Sequence, residues 1–152
     1  MMNGLRRKIG RVGLSLGWGC FWGFASAQTA RSPGTLAQIK TMPEVLRALG
    51  ADAVRESGAI ELGVPELVDH GAVVPVTVRS VLPKTDQITL LVAANPAPWV
   101  ATYDLFPSTE PLITMRIKMS QSSEVVALVR AEGRFYAVRR PVRVTLGGCG
   151  AS

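Results

Sequence analysis

The chain has 152 residues, which is the length of one ordinary domain, and a formal net charge of +6 from 17 basic and 11 acidic residues. Four of the basic residues lie within residues 6–11, in a segment that we predict to be removed. The remaining 13 basic and 11 acidic residues give a net charge of +2, which leaves no compositional support for nucleic-acid binding.

The first 27 residues have the pattern of an export signal peptide. A basic stretch over residues 6–11 precedes an apolar run over residues 12–24, and Ala25-Ser26-Ala27 supplies a small-x-small cleavage motif. The run is shorter than the roughly 20 residues of a membrane-spanning helix. We therefore predict that residues 1–27 are removed and that the mature chain is periplasmic, with no membrane segment.

The pair Arg6-Arg7 leaves the export route open. It resembles a twin-arginine signal, but the flanking residues match that consensus only loosely. Cys20 lies inside the signal, and the bulky Trp18 before it is a poor context for lipoprotein processing. Cys149 is then the only cysteine of the mature chain. An odd thiol in an exported protein suggests an intermolecular partner or a reactive group.

Residues 28–57 are predicted to form a short N-terminal helical segment. Pro43 can open a helical turn and Gly50 can end one. Apolar residues recur there at near-helical spacing, at Leu36, Ile39, Val45, Leu46 and Leu49.

Residues 58–146 are predicted to form a β-sandwich domain. Short runs rich in Val, Ile and Thr alternate there with turn residues, which is typical of all-β proteins. The predicted strands are residues 59–64, 72–80, 87–94, 98–106, 112–119, 123–131, 134–139 and 142–146.

Two positions in this domain carry sharper predictions. Gly133, after Glu132, can adopt the positive φ that a tight hairpin turn between residues 125–130 and 134–138 needs. Pro75 lacks the N–H that a central strand donates, so its strand is predicted to be an edge strand or to contain a bulge.

The last residues, 147–152, are predicted to be a flexible arm. Cys149 lies between Gly147-Gly148 and Gly150, three residues before the C-terminus. Glycine offers no side chain to pack around a thiol and leaves the backbone free, so this cysteine is predicted to be mobile and reactive rather than part of the core. From Leu146 the thiol can extend by about 10 Å into a partner's pocket.

Polar and charged groups near Cys149 affect anion binding by the arm and ionisation of the thiol. Its glycines allow backbone N–H groups to turn toward an anion. The thiolate is the competent nucleophile, and Arg139, Arg140 or Arg143 could favour it, whereas the carboxylate of Ser152 would oppose it. The sequence leaves open which effect prevails.

No catalytic or cofactor-binding pattern is present in the mature sequence. One histidine and one cysteine cannot form a usual four-ligand zinc site or a Cys-x-x-Cys-His haem attachment. There is no glycine-rich phosphate loop and no serine in a nucleophile elbow, and Asp104 and Glu110 show no pattern for paired acid–base work. The chain is predicted not to be an enzyme and to bind neither a metal nor a cofactor.

Several segments together resemble one known family, SoxY, the sulfur-carrier protein of bacterial thiosulfate oxidation. The terminal Gly147-Gly148-Cys149-Gly150 is its hallmark, and residues 69–78, Asn95-Pro96, 116–119 and 133–136 extend the resemblance over most of the mature chain. Family members typically close on a further glycine, whereas this chain ends in Ala151-Ser152. That departure leaves the cysteine and its flanking glycines intact.

The resemblance implies an immunoglobulin-like sandwich that acts as a carrier and not as a catalyst. Cys149 would hold the sulfur substrate covalently, on an arm made flexible by Gly147, Gly148 and Gly150, while other proteins load, oxidise and hydrolyse it. It also implies a heterodimer with SoxZ and transient docking to haem-containing SoxAX, to SoxB and to other Sox enzymes. A homodimer linked through Cys149 stays open.

Other features have simpler interpretations. Arg139-Arg140 is interpreted as a solvated strand end rather than a sulfonate clamp, and His70 as a turn residue. Met115, Met119 and Trp99 alternate within predicted strands, which favours the core over a partner surface.

Two alternative functions remain open from the sequence. A periplasmic structural or adhesion-type β-sandwich would use Cys149 only for an intermolecular disulfide bond. A thiol oxidoreductase is the weaker alternative, because the mature chain lacks a resolving cysteine.

Overall fold

The computed structural model describes residues 33–145, so the predicted signal peptide and the predicted arm with Cys149 lie outside the described residues. Within this range the helices are α1 (Pro33–Gln38) and α2 (Met42–Leu49). The strands are β1 (Val54–Glu56), β2 (Ile60–Gly63), β3 (Leu67–Val68), β4 (Val74–Ser80), β5 (Thr85–Val92), β6 (Trp99–Asp104), β7 (Leu112–Ile117), β8 (Ser123–Ala131) and β9 (Arg134–Val144). Neither of these two helices is long and apolar enough to cross a membrane.

The strands form two sheets that face each other, with the helices on the outer side of the larger one. The larger sheet has the order β1-β9-β8-β5-β6, and β3 also pairs with β9. The smaller sheet has the order β2-β4-β7. This arrangement confirms the predicted β-sandwich with a short N-terminal helical region.

The larger sheet is buried on both faces, which explains the continuous apolar runs of β5 and β8. Ile88, Leu90 and Val125 point between the two sheets and are fully buried there. Leu91 and Leu128 point to the other face and pack against helical residues such as Val45. Burial of each such side chain contributes roughly 1.5–3 kcal/mol, so the sandwich has a substantial core.

The helical segment ends where the sequence predicts a helix stop. Gly50 has φ 74°, and its N–H bonds to the carbonyl of Arg47 at 3.0 Å while the N–H of Ala51 bonds to the carbonyl of Leu46 at 2.8 Å, which caps the end of α2. Beyond it, β1 forms within the segment predicted to be helical and pairs in parallel with the start of β9. Three residues are too few to show a strand period in the sequence.

The predicted hairpin is confirmed between β8 and β9. Ala131 pairs with Arg134, so Glu132 and Gly133 form a two-residue turn with φ values of 51° and 73°. Positive φ at both positions is the type I′ geometry that matches the twist of paired strands.

Pro75 lies in β4, the central strand of the smaller sheet, and pairs with Arg116 of β7 in continuous register, so the strand is neither the edge strand nor the bulged strand that the sequence predicts. Along β4, Ser80 donates its N–H toward β7, to Pro111, while Val81 donates toward β2, to Ala59. Pro75 has the same parity as Val81, and β2 pairs with β4 only over residues 77–80. Pro75 therefore faces the β2 side of β4 at a level where β2 is not paired with it, so the absence of an N–H there costs no hydrogen bond between described strands.

Pro141 lies within the single strand β9, where the sequence predicts two separate strands. It is tolerated for the same reason as Pro75. On the outer edge of β9, β1 pairs with residues 135–137 and β3 with residues 143–144. Pro141 falls between these two short ladders, on the edge where Arg143 donates its N–H. Its lack of a donor costs no hydrogen bond of either ladder.

Gly71 closes the end of the sandwich from which the last residues emerge. Its carbonyl accepts a hydrogen bond from the Met119 N–H at 2.6 Å. A Cβ at this position would overlap the carbonyl oxygen of Met119 and would lie 3.3 Å from a Val144 methyl group. The backbone approach is therefore possible only for glycine.

We expect Gly71→Ala to lower the free energy of unfolding by about 1–3 kcal/mol, because the backbone of Met119 must shift to admit a methyl group. Urea unfolding measures this change. Gly58→Ala is the matched control, since no atom lies within 4 Å of its added Cβ. Equal stability of Gly71→Ala and the unchanged protein would contradict the close packing.

Candidate functional site

The structure describes the residues that precede the predicted arm but not the arm itself. The end of β9 and Thr145, residues 143–145, are hydrogen-bonded to neighbouring segments, and we call this part of the chain the anchor. Cys149, Gly147, Gly148 and Gly150 lie outside the described residues, which end at Thr145. The anchor is therefore the place where the candidate site can be analysed.

The end of β9 is held by hydrogen bonds on both of its edges. On the outer edge, Arg143 donates its N–H to Glu66 at 2.8 Å and Thr145 donates its N–H to Val68 at 2.9 Å. On the inner edge, the Val144 N–H bonds to the Ser122 hydroxyl at 2.9 Å. Each bond contributes about 1 kcal/mol, so the chain is held in place as far as Thr145.

Asn95 fixes the loop that supplies Ser122. Its Nδ2 donates to the carbonyl of Lys118 at 2.8 Å, and its Oδ1 accepts from both the N–H and the hydroxyl of Ser120 at 3.0 Å. An aspartate could not make this set, because it lacks the amide donor. Asn95 therefore supports the anchor of β9 indirectly, through residues 118–122.

Three of the segments that carry the family resemblance meet at this anchor. Residues 69–71 contain Gly71, which packs on Met119 and Val144, and Asn95 binds the segment after β7. The sequence contains these segments but does not indicate that they lie together. Their spacing in the sequence contains no signal for it, since Asn95 and Ser120 are 25 residues apart.

The segment 133–136 lies at the other end of the molecule. It forms the turn between β8 and β9 and the start of β9, so the full length of that strand separates it from Thr145. This segment therefore contributes to the fold and does not lie at the anchor.

The arginines considered as thiol neighbours lie on β9 with exposed side chains. Arg139, Arg140 and Arg143 all face solvent, and Arg139 lies 4.0 Å from a carboxylate oxygen of Glu56. This exposure agrees with the interpretation of Arg139-Arg140 as a solvated strand end.

The burial of individual side chains also tests the predictions made for the methionines, Trp99 and His70. Met119 is 2% exposed, which confirms its place in the core. Met115 is partly buried against the residues between the two sheets, and Trp99 is partly buried against the residues between the larger sheet and the helices, which confirms the core assignment for both. His70 is exposed in the turn region between β3 and β4.

Within residues 33–145 the body offers little chemistry of its own. No group of three or more His, Cys, Asp or Glu side chains in this range could hold a metal ion. Every buried side-chain polar atom described has a hydrogen-bond partner. Cys149, the reactive group that the sequence predicts, lies outside these described residues.

Comparisons with known proteins indicate the family to which the chain is similar. Residues 46–149 match the family model of the sulfur oxidation protein SoxY, and this match ends at Cys149. Among curated proteins no match was found.

Two solved structures show the fold. The sulfur carrier protein SoxY from Chlorobium limicola f thiosulfatophilum is 34% identical with a TM-score of 0.62, over 68% of this chain and 94% of that chain. Superoxide reductase (neelaredoxin) from Ignicoccus hospitalis is 20% identical with a TM-score of 0.52, over 74% of this chain and 98% of that one, and at that identity it shows the fold alone. Together with the family match, the Chlorobium structure confirms the resemblance found in the sequence: the chain belongs to the SoxY family of sulfur oxidation proteins.

Proposed function

We propose that this chain is a periplasmic sulfur carrier of the thiosulfate-oxidising Sox pathway, which binds sulfur intermediates covalently on Cys149 and presents them to partner enzymes. One observation carries the proposal. The match to the SoxY family extends to Cys149, which stands four residues beyond Thr145, the last described residue of the hydrogen-bonded anchor.

The distance between anchor and thiol suits a carrier. Four residues beyond Thr145 extend by at most about 14 Å, so the sulfur of Cys149 can enter a pocket while the body stays outside. Gly147 and Gly148 keep this stretch thin, and the rigid anchor limits the volume that the thiol samples. Limiting that volume raises the effective concentration of the thiol at a docked partner.

The chemistry is divided between the chain and its partners. The Cys149 thiolate forms a sulfur–sulfur bond to the substrate, and this bond formation releases two electrons. We assign these electrons to the haem-containing partner SoxAX, and hydrolysis of the oxidised group to SoxB. The chain itself is a carrier and not an enzyme, and SoxZ is its heterodimer partner.

Cys149→Ser should abolish sulfur loading, because a hydroxyl group does not replace the thiolate as nucleophile. Intact-mass measurement after incubation with thiosulfate and the oxidising proteins of the pathway should show added sulfur mass on the unchanged protein and none on the variant. The variant should keep its fold and its SoxZ complex, since chain ends contribute little burial. If the unchanged protein formed disulfide dimers and never gained sulfur mass, the structural or adhesion-type alternative would be favoured.

Replacing both Gly147 and Gly148 with proline should slow sulfur transfer by about tenfold or more, because proline fixes φ and thickens the arm. The rate of sulfur release by SoxB measures this, after thiol titration has shown that Cys149 is still free. Ala151→Pro is the matched control, since it adds the same ring beyond the cysteine. Equal transfer by the double variant and the control would count against entry of the arm into a pocket.

A further inference from the structure

The inner edge of β9 loses its strand partner just before the end of the described chain. The register between β8 and β9 ends at the pair Ser123–Val142, so β8 does not extend alongside Val144. The hydroxyl group of Ser122 takes the place of a strand there. It accepts the Val144 N–H at 2.9 Å and donates to the Val144 carbonyl at 3.4 Å, which a hydroxyl group can do at the same time. One side chain therefore holds both main-chain groups of Val144 on this edge.

Ser122 lies in the loop between β7 and β8, and Asn95 fixes the position of this loop. The side-chain amide of Asn95 donates to the Lys118 carbonyl at 2.8 Å. Its Oδ1 accepts from the N–H and from the hydroxyl of Ser120, each at 3.0 Å. The loop is thus bound on both sides of Met119, which is buried in the core. The hydrogen bonds consequently form a series that runs from Asn95 through the loop and Ser122 to the anchor.

Three more hydrogen bonds join the loop after β5 to the same part of the chain. The Ser123 hydroxyl accepts the Ala94 N–H at 2.8 Å, and the Gln121 side chain donates to the Ala94 carbonyl at 3.3 Å. The Ala93 N–H bonds to the Glu124 carbonyl at 3.0 Å. The backbone that carries Asn95 is therefore itself held in place.

These side chains lie at the surface. Ser120 and Ser122 are exposed, and Asn95 is half-buried. Hydrogen bonds at the surface compete with water and add little to the free energy of unfolding, whereas the buried side chains of the two sheets supply most of it. The bonds determine the local position of Val144 instead, because segments with few buried contacts open before the fold as a whole does. Their concentration at the end of β9 indicates a local task.

Loss of the inner edge would leave the anchor held on one side only. On the outer edge, the Arg143 N–H bonds to Glu66 and the Thr145 N–H bonds to Val68. A strand end that is held along a single edge can pivot about that edge, whereas bonds on both edges prevent this motion. Because Cys149 lies four residues beyond Thr145, the position of the anchor sets the centre of the volume, about 14 Å in radius, that the thiol can reach.

From these contacts we propose that Asn95 is a positioning residue for sulfur transfer. Acting through Ser122, it fixes the direction in which the anchor presents Cys149 to a partner's pocket. The proposal rests on the proposed function, because it concerns transfer of the group that Cys149 carries. A reactive group that is presented in the wrong orientation reacts more slowly even where its own chemistry is unchanged.

The test measures sulfur release by SoxB from the full mature chain and from variants, after intact-mass measurement has shown equal loading of Cys149. Asn95→Ala and Ser122→Ala should each lower kcat/KM about tenfold. The two losses should not add in the double variant, because the residues act in series. Ser122→Thr keeps the hydroxyl group and should restore most of the rate that Ser122→Ala loses. The alkylation rate of Cys149 by iodoacetamide should be the same in all variants, since the thiol itself is unchanged.

Gln87→Ala is the matched control for stability. It also removes a surface hydrogen bond, from Gln87 to Asp104 at 2.7 Å, but Gln87 pairs with Arg130, at the end of β8 that lies away from Ser123. Urea unfolding should show similar small losses of stability for Gln87→Ala and Asn95→Ala, and only Asn95→Ala should slow transfer. Slower transfer by both variants would assign the effect to stability and overturn the positioning role.

Other outcomes would contradict the proposal at separate steps. If Asn95→Ala and Ser122→Ala transferred sulfur as the unchanged protein does, Asn95 would have no positioning role, while sulfur loading of Cys149 would still support the carrier function. Additive losses in the double variant would show that Asn95 does not act through Ser122. If the unchanged protein never gained sulfur mass, the carrier function would fail, and the positioning role with it.

Discussion

Strand β9 is the element on which the rest of the structure depends. It pairs with β8 along one edge for nine residues, from Arg134 to Val142, and with β1 and β3 at the two ends of its other edge. Hydrogen bonds to neighbouring segments fix the backbone of this strand and of Thr145, the last described residue. The proposed carrier function needs a fixed base of this kind, because a loose base would spread the thiol over too large a volume.

Gly71 and Asn95 join separate segments of the chain around the end of β9. Gly71 packs on Met119 and Val144, and Asn95 holds the segment after β7 through its hydrogen bonds with Lys118 and Ser120. This end of the sandwich is therefore fixed by contacts between residues that are far apart in the sequence.

The β-sandwich fold by itself does not specify a sulfur-carrier function. The superoxide reductase of Ignicoccus shares the fold at 20% identity, and a fold shared at that distance says nothing about chemistry. In the present chain, the described body has a well-satisfied core and no cluster of metal-ligating side chains within residues 33–145. The proposed function places the sulfur chemistry on Cys149, outside this described body.

The sequence by itself determined the features that depend on neighbouring residues. The short strand-forming runs between turn residues, the positive φ of Gly133 and the helix stop at Gly50 are local effects, and the structure confirms each of them. The joint position of Gly71 and Asn95, and the tolerance of Pro75 inside a central strand, were decided only by the tertiary structure. They depend on which strands pair and where each ladder ends, and such contacts join residues too far apart in the chain for any local pattern to encode.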